Sequence, residues 1–486
     1  MKKIICYTAI LTLLLIISCS KDNSYPEITL DLLQSDKCET APLLTNDCGY
    51  LIYDPLLKKT VKAHNMRKSF IPASVTKLFT TVLSLEILHA DYKFTTELLY
   101  SGNINNGEIN GSLFLKGGGD PELSIRNLTS FIYELKSLGI KSIKGDFVYD
   151  IELFKSADVL NKAMPVNAKY NPGFSPLNLN GNTIYALKKI NDKGRFESCE
   201  LLPDLPSNRT YLYDGPHVML YSKYSETGGV ETWGLPSHGR WENRLQLPVK
   251  NTGLFTASVF RKLCSIHGID LPQPVKGITV TDAKKITEHK SRELSLIIKD
   301  MIFTSDNLTS EITGTLAYKK YSERNQKSPV AVDIFFKKSF PSIKWDEFRL
   351  ENYSGLTDAN RATPEQTIAM LIYLSGLDFN KEGISGILPM SGLDGTMKSK
   401  LDNPDTAFKV CAKTGTIYFA SALAGEFVAS SGKKYLFSMF IDNKEKRKQY
   451  TTVGNSSIEK AREAEKWSAD AGKTIESFIN KQINEL

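Results

Sequence analysis

The chain has 486 residues, 41% hydrophobic and 24% charged, with seven cysteines and a formal charge of +7. That length supports more than one packed domain, and the composition is that of a globular protein without a low-complexity tract or repeat period. The positive charge is mild, falls to +5 without Lys2 and Lys3, and is spread along the chain, so no nucleic-acid partner is implied.

Residues 1–18 read as a targeting segment. Lys2 and Lys3 make a charged start, and Ile10 to Ile17 form an apolar run too short to span a membrane. The run ends in Ile16-Ile17-Ser18-Cys19, which resembles a bacterial lipobox. On that reading the chain is cleaved before Cys19 and its thiol acylated, holding a soluble body at a membrane face on the periplasmic side of a bacterial envelope. The alternative is an ordinary secreted protein with an accidental cysteine. Cys38 and Cys48 could bridge in an oxidising compartment or remain thiols. The five cysteines after Cys19 are an odd number in no zinc-site spacing, and Cys411 reads as packing. The six histidines form no H-E-x-x-H pair, so neither a metal nor another cofactor is expected.

Gly49 to Tyr53 and Thr60 to Ala63 read as a hairpin turned by Asp54-Pro55. A helix follows over 72–90, opened by Pro72 and Ser74, with Val75, Leu78, Phe79, Val82 and Leu85 at helical spacing. It carries Ser74-x-x-Lys77. Positions three apart stand one above the other on a helix, the geometry a serine nucleophile needs from an amine base. The lysine must be neutral to accept the proton, which burial and a second cation can arrange.

Residues 95–283 are read as an insertion with its own signals, since a structureless loop of that length is rare. Ser112 to Leu115 is a strand, Gly117-Gly118-Gly119 a turn, and Asp120 with Pro121 the start of a helix toward Leu138. The glycine run lacks the G-K-[ST] of a phosphate loop. Residues 183–245, with Trp233 and Trp241, read as a nested β-rich piece whose tryptophans are packing rather than a sugar platform. From 284 the first domain resumes. Helices are expected at Leu294 to Ile302, Asn307 to Lys320 and from Thr363-Pro364 to Leu374. Strands follow at 408–416, 420–428 and 434–442, with Lys444 to Lys448 as a solvated loop and a last amphipathic helix capped by Asn455 or Ser456. The domain boundaries are therefore 19–94, 95–283 and 284–486.

Two more short motifs stand in this second part: Ser305-Asp306-Asn307 and Lys413-Thr414-Gly415-Thr416. S-x-x-K, S-D-N and K-T-G in that order mark class A β-lactamases and penicillin-binding proteins. Lys413 offers a positive charge to a substrate carboxylate and would help depress Lys77. Gly415 lets a substrate backbone approach, on an edge strand able to pair with an extended peptide. The backbone N–H groups of Ser74 and Thr416 are oxyanion-hole candidates. Ser305 can relay a proton to the leaving amine, and Asn307 can hold both substrate and lysine.

Four further segments extend the match: Lys116-Gly117-Gly118-Gly119-Asp120-Pro121-Glu122-Leu123, Ser175 to Asn182, Tyr353-Ser354-Gly355-Leu356-Thr357-Asp358-Ala359-Asn360 and Leu388 to Met397. With them the chain resembles the D-alanyl-D-alanine carboxypeptidase/endopeptidase family, the class C low-molecular-mass penicillin-binding proteins. It departs from that pattern at Asn352-Tyr353 and at Asn251-Thr252-Gly253, neither of them a catalytic position. The resemblance implies an α/β fold: an antiparallel sheet flanked by helices, with a large β-rich insertion after the S-x-x-K helix. It implies a serine peptidase acting on peptidoglycan stem peptides, inhibited covalently by β-lactams, with Ser74, Lys77, Ser305 and Asn307 catalytic and Lys413, Thr414, Gly415 and Thr416 binding substrate. It also points to Asp150, at the end of Gly145 to Asp150, as the acidic group that recognises a stem-peptide amine; a cap for the following turn is the other reading. A sensor that binds without turnover, and a β-lactamase with a deacylating carboxylate near Ser74, remain open from the residues alone.

Overall fold

The computed structural model describes residues 48–190, 192, 196–213, 219–223, 230–236, 244–324, 332–379, 383–452 and 458–486. The lipobox, Cys19, Cys38, Trp241 and the expected cap at Asn455 or Ser456 lie outside them.

A five-stranded sheet organises the catalytic part. Its strand order is Val410–Ile417, Ala420–Val428, Lys434–Asp442, Cys48–Asp54, Lys59–His64, and every neighbouring pair is antiparallel. The first hairpin forms as the turn chemistry predicts: Asp54 Oδ1 accepts the N–H groups of Leu56 and Leu57 at 2.9 and 2.8 Å. Hydrophobic layers cover both faces. On one lie helices Thr76–Leu88, Leu294–Thr304, Asn307–Arg324 and Pro364–Ser375, with Leu78, Phe79, Val82, Ile298, Ile312 and Ile368 buried between them. On the other lies the final helix Ile458–Glu485, whose Ala471, Ile475, Phe478 and Ile479 pack on Val410, Ala412, Phe437 and Met439. Thr363 begins Pro364–Ser375 with a capping box to Gln366.

The strand Val410–Ile417 is buried over Val410 to Lys413 and open only at Thr414 and Thr416. Both faces of its buried part are covered, and Phe408, expected within it, lies outside with φ 65° and 61% exposure. Cys411 packs in the helical core, as read from sequence. Lys444 to Lys448 is helical rather than a loop, with Lys446 and Lys448 exposed as expected and only Arg447 buried. Asn443 Oδ1 accepts the Lys446 N–H at 2.9 Å and starts the helix Lys444–Thr452, on which buried Arg447 pairs with Asp358 at 3.0 Å.

The insertion has a separate core and a mixed sheet ordered Pro274–Lys276, Phe147–Asp150, Leu113–Lys116, Thr95–Tyr100, Lys284–Lys290. Because Lys284–Lys290 pairs with Thr95–Tyr100, the sheet runs past 283, and the catalytic part resumes at Leu294. Its first helix is Ile125–Ser137, capped by Ser124 in a reciprocal pair with Asn127, rather than by Asp120 and Pro121. Asp120 closes a tighter turn, accepting Glu122 N–H at 2.9 Å. Two three-stranded sheets occupy the nested region, and Trp233 is fully buried there, in packing.

Candidate active site

Ser74 sits in a short 3-10 turn, Ala73–Val75, that runs into the helix Thr76–Leu88. Lys77 is on the first turn of that helix and has no exposed surface. The change from 3-10 to α geometry preserves the juxtaposition: Lys77 Nζ lies 3.1 Å from Ser74 Oγ. Its other two partners are Asn307 Oδ1 at 2.8 Å and the Ser354 carbonyl at 2.7 Å. Burial lowers Lys77 to about 7, against the opposing pull of Asp306 and Glu311.

Ser305 ends the helix Leu294–Thr304 in a left-handed conformation, φ 61°. Asp306 Oδ1 accepts Thr309 N–H at 2.6 Å, so the next helix starts at once and puts Asn307 over Lys77. Lys413, from the edge strand, is also fully buried and donates to Ser305 Oγ at 2.9 Å and to the Thr414 carbonyl at 2.8 Å. Burial first, and the Lys77 charge second, hold Lys413 well below the usual lysine range. Lys77 therefore owes its shift to burial rather than chiefly to Lys413. Two chains of polar atoms result, Ser74–Lys77–Asn307 and Ser305–Lys413, and they face one cleft.

That cleft has a volume of about 540 Å³ and is lined by Ser74, Ser305, Asn307 and Thr416. Gly415 carries the strand past the nucleophile: a Cβ there would lie 2.6 Å from the Pro72 carbonyl and 3.2 Å from the Ser74 nitrogen. Thr414 flanks it on the same strand, whose outer edge is taken at Val410 and Ala412 by Ser391 and Pro389 (2.8 and 3.0 Å) but has no strand neighbour among the described residues from Thr414 onward.

Asp150 is not brought to this cleft. It is buried at the end of Phe147–Asp150, where Oδ1 accepts Glu152 N–H at 3.1 Å and Oδ2 accepts Thr279 N–H at 2.8 Å. Both oxygens are committed to local backbone, the turn role that was the alternative reading. The carboxylate among the described lining residues is instead Glu465, exposed on the final helix beside Tyr170 and Tyr418.

Sequence reasoning missed several contributors. Tyr170 and Met164 come from the insertion, and Asn307 Nδ2 donates to the Tyr170 carbonyl at 3.1 Å. Asn161 Nδ2 donates to the Leu356 carbonyl, binding that same insertion segment to the catalytic part. These contacts leave no sequence signal, because both partners are tertiary neighbours only. Glu311 did leave one, four residues after Asn307 on the same helix face.

A family model described as D-Ala-D-Ala carboxypeptidase 3 (S13) matches residues 34–459. D-alanyl-D-alanine carboxypeptidase DacB of Haemophilus influenzae is 26% identical over 432 residues, covering 84% of this chain and 88% of that protein. A D-alanyl-D-alanine carboxypeptidase of Actinomadura sp. is 23% identical over 410 residues, covering 79% and 76%. The crystal structure of penicillin-binding protein 4 from Haemophilus influenzae has the same fold, with TM-score 0.70 and 23% identity over 83% of this chain and 91% of that one. The chain belongs to the D-Ala-D-Ala carboxypeptidase 3 (S13) family.

Proposed function

We propose that this protein, a serine D-Ala-D-Ala peptidase by family, cleaves peptidoglycan stem peptides through an acyl-enzyme on Ser74. The observation that carries the reading is the fully buried Lys77 amine 3.1 Å from Ser74 Oγ, held to about 7 by desolvation. A sensor that only bound substrate would not need a buried lysine costing several kcal/mol.

In the forward step neutral Lys77 takes the Ser74 hydroxyl proton as Oγ attacks the carbonyl carbon of the penultimate residue. The N–H groups of Ser74 and Thr416 receive the negative charge that develops on its oxygen. The Oγ–C bond forms and the C–N bond breaks as Ser305, beside Lys413, gives its hydroxyl proton to the leaving amine and regains one from protonated Lys77, which is then neutral again. Buried Lys413, depressed in the free enzyme, is favoured in its charged form as the leaving group's carboxylate arrives beside Ser305 and Thr414. Asn307 holds Lys77 on one side and substrate amide on the other. Water then attacks the ester, neutral Lys77 takes its proton and returns it to Ser74 Oγ as the acyl C–O bond breaks and the acid product leaves. The substrate backbone adds to the edge of this strand beyond Ala412, at Thr414 to Thr416, with Gly415 leaving room for it.

A β-lactam presents the same carbonyl to Ser74 in a ring, so its leaving amine stays attached and the acyl-enzyme persists. One solved relative is described as complexed with a β-lactam. The free carboxylate of Glu465 suits a cationic group on the stem peptide, by charge-assisted hydrogen bonding and the adjacent tyrosine faces. Lipidated Cys19 would hold the enzyme at a membrane from outside; among the described residues no helix is long and apolar enough to cross one.

The test is mass spectrometry of the purified protein after penicillin and after cross-linked muropeptide. Ser74 carrying the penicilloyl mass, together with released D-alanine or separated stems, is the expected result. Binding without either covalent label or product would overturn the enzyme reading.

A further inference from the structure

Glu311 is a buried carboxylate that the acylation steps do not themselves use. It stands one turn beyond Asn307 on the helix Asn307–Arg324, so the two share a face. Glu311 Oε1 accepts the Ser354 N–H at 2.9 Å, and Oε2 accepts the Tyr353 N–H at 3.2 Å. The Tyr353 carbonyl in turn accepts from the hydroxyls of Thr80 and Ser310, both at 2.6 Å. With two consecutive peptide units fixed this way, the Ser354 carbonyl is left aimed at Lys77 Nζ, 2.7 Å away. Both acceptors that hold the Lys77 amine, apart from Ser74, therefore hang on one helix: Asn307 directly, Ser354 through Glu311.

Two backbone N–H groups can be satisfied by neutral acceptors, and burying a carboxylate is costly, so the choice of an acid here calls for a reason. Burial raises the Glu311 carboxyl above its usual range, opposed by its hydrogen bonds to Ser354 and Tyr353 and by the Lys77 charge. Its negative charge in turn pulls Lys77 upward against desolvation, as Asp306 does. The other ionisable groups facing this pair are Lys413 and the phenols of Tyr353 and Tyr318.

We propose that Glu311 is the positioning residue of the catalytic base: its carboxylate clamps the Tyr353–Ser354 backbone, so that the Ser354 carbonyl and Asn307 hold the Lys77 amine against Ser74. The same charge keeps the amine from titrating too low to accept and return a proton near neutrality. This rests on the acyl-enzyme reading of Ser74 and Lys77.

The experiment is the penicillin acylation rate from pH 5 to 9 for the wild type, Glu311→Gln and Glu311→Asp, with folding checked by thermal melting. Glu311→Gln keeps the size but loses the charge and one acceptor. Its acid limb should move down by about 1 pH unit, and its plateau should fall about tenfold or more. Glu311→Asp keeps the charge but retracts the clamp by one methylene, so its plateau falls while its acid limb stays close to wild type. A folded Glu311→Gln with the wild-type plateau, or with an unmoved acid limb, overturns the role. Should Glu311→Gln not fold, Glu311→Asp decides, and an unchanged plateau there overturns it. A wild type that takes no label overturns the acyl-enzyme reading and this role with it, whereas a labelled wild type with indifferent variants refutes Glu311 alone.

Discussion

Replacing Lys77 by Met should abolish acylation and yet change the pH dependence of stability in a defined way. Lys77 has no exposed surface, and burial takes it from its ordinary 10.5 to about 7. A lysine whose folded value lies below its unfolded value binds fewer protons folded than unfolded between those two pH values. Stability contributed through this group therefore rises with pH across that window, and the full penalty applies below it. At about 1.4 kcal/mol per pH unit, the window from about 7 to 10.5 spans about 5 kcal/mol. Methionine has a similar length and no proton to bind. The variant's stability relative to wild type should be greatest at pH 7 and below, then decline by about 1.4 kcal/mol per pH unit above it. Two neighbours act in the same direction. Without the Lys77 charge, Lys413 is depressed less and Glu311 loses an opposing cation. Denaturant unfolding of both proteins from pH 6.5 to 10 measures the difference. Parallel curves would refute the claim that Lys77 is held neutral by burial, whatever the activity data say.

The remaining expectations are more local. Ser74→Ala should take no penicillin label while losing no more than about 1 kcal/mol of stability, because Ser74 makes no capping bond at its turn; label on the alanine protein would place the nucleophile elsewhere. Asp150→Asn should melt earlier, by about 1–3 kcal/mol for one backbone N–H left without its acceptor, with all substrates affected alike; a selective loss on amine-bearing stem peptides would restore it as a recognition group. Glu465→Gln should give that selective loss, about tenfold in kcat/KM, with penicillin acylation unchanged; equal turnover of stems with and without the amine would remove Glu465 from recognition. Cys19→Ser should leave the protein in the soluble fraction after export, and membrane retention would mean another anchor.

How much of this was legible depended on how local the physics is. Ser74 and Lys77 are three residues apart, so spacing predicted that they meet; that Asn307 and Lys413 join Lys77 and Ser305 was implied only by the family resemblance, since these contacts span 230 and 108 residues. The strands and most of the catalytic-part helices followed from local chemistry: Thr363-Pro364 and Asp54-Pro55 are short-range signals. The insertion's first helix began late because Ser124 and Asn127 cap each other, a better cap than Asp120, which spends its side chain on Glu122. Within the basic run Lys444 to Lys448, the burial of Arg447 left no signal because its partner, Asp358, is far away in sequence. Asp150 was misplaced for a related reason: which carboxylate lines the cleft is set by how the insertion and the final helix pack, and Glu465, which does line it, carries no mark in the sequence.

The motifs are short because each is a contact point between segments as much as a set of reactive groups. Ala73, immediately before the nucleophile, has φ 45°, and Ser305 has φ 61°, a region that side chains other than glycine rarely adopt. Such residues persist where the surroundings over-determine them. Here the surroundings are other motifs. Gly355, φ 79°, lies against the Ala73 carbonyl so closely that a Cβ would come within 1.8 Å of it. Gly415 comes against the Pro72 carbonyl from the strand on the other side. Ile71 N–H is fixed by Asp442 Oδ2 at 2.8 Å, at the end of a third strand. The turn bearing Ser74 is therefore held by three segments, two approaching it backbone to backbone and the third through the Asp442 carboxylate. Two of those approaches are possible only at glycine, so a methyl group at either position should displace the nucleophile without touching a single reactive side chain.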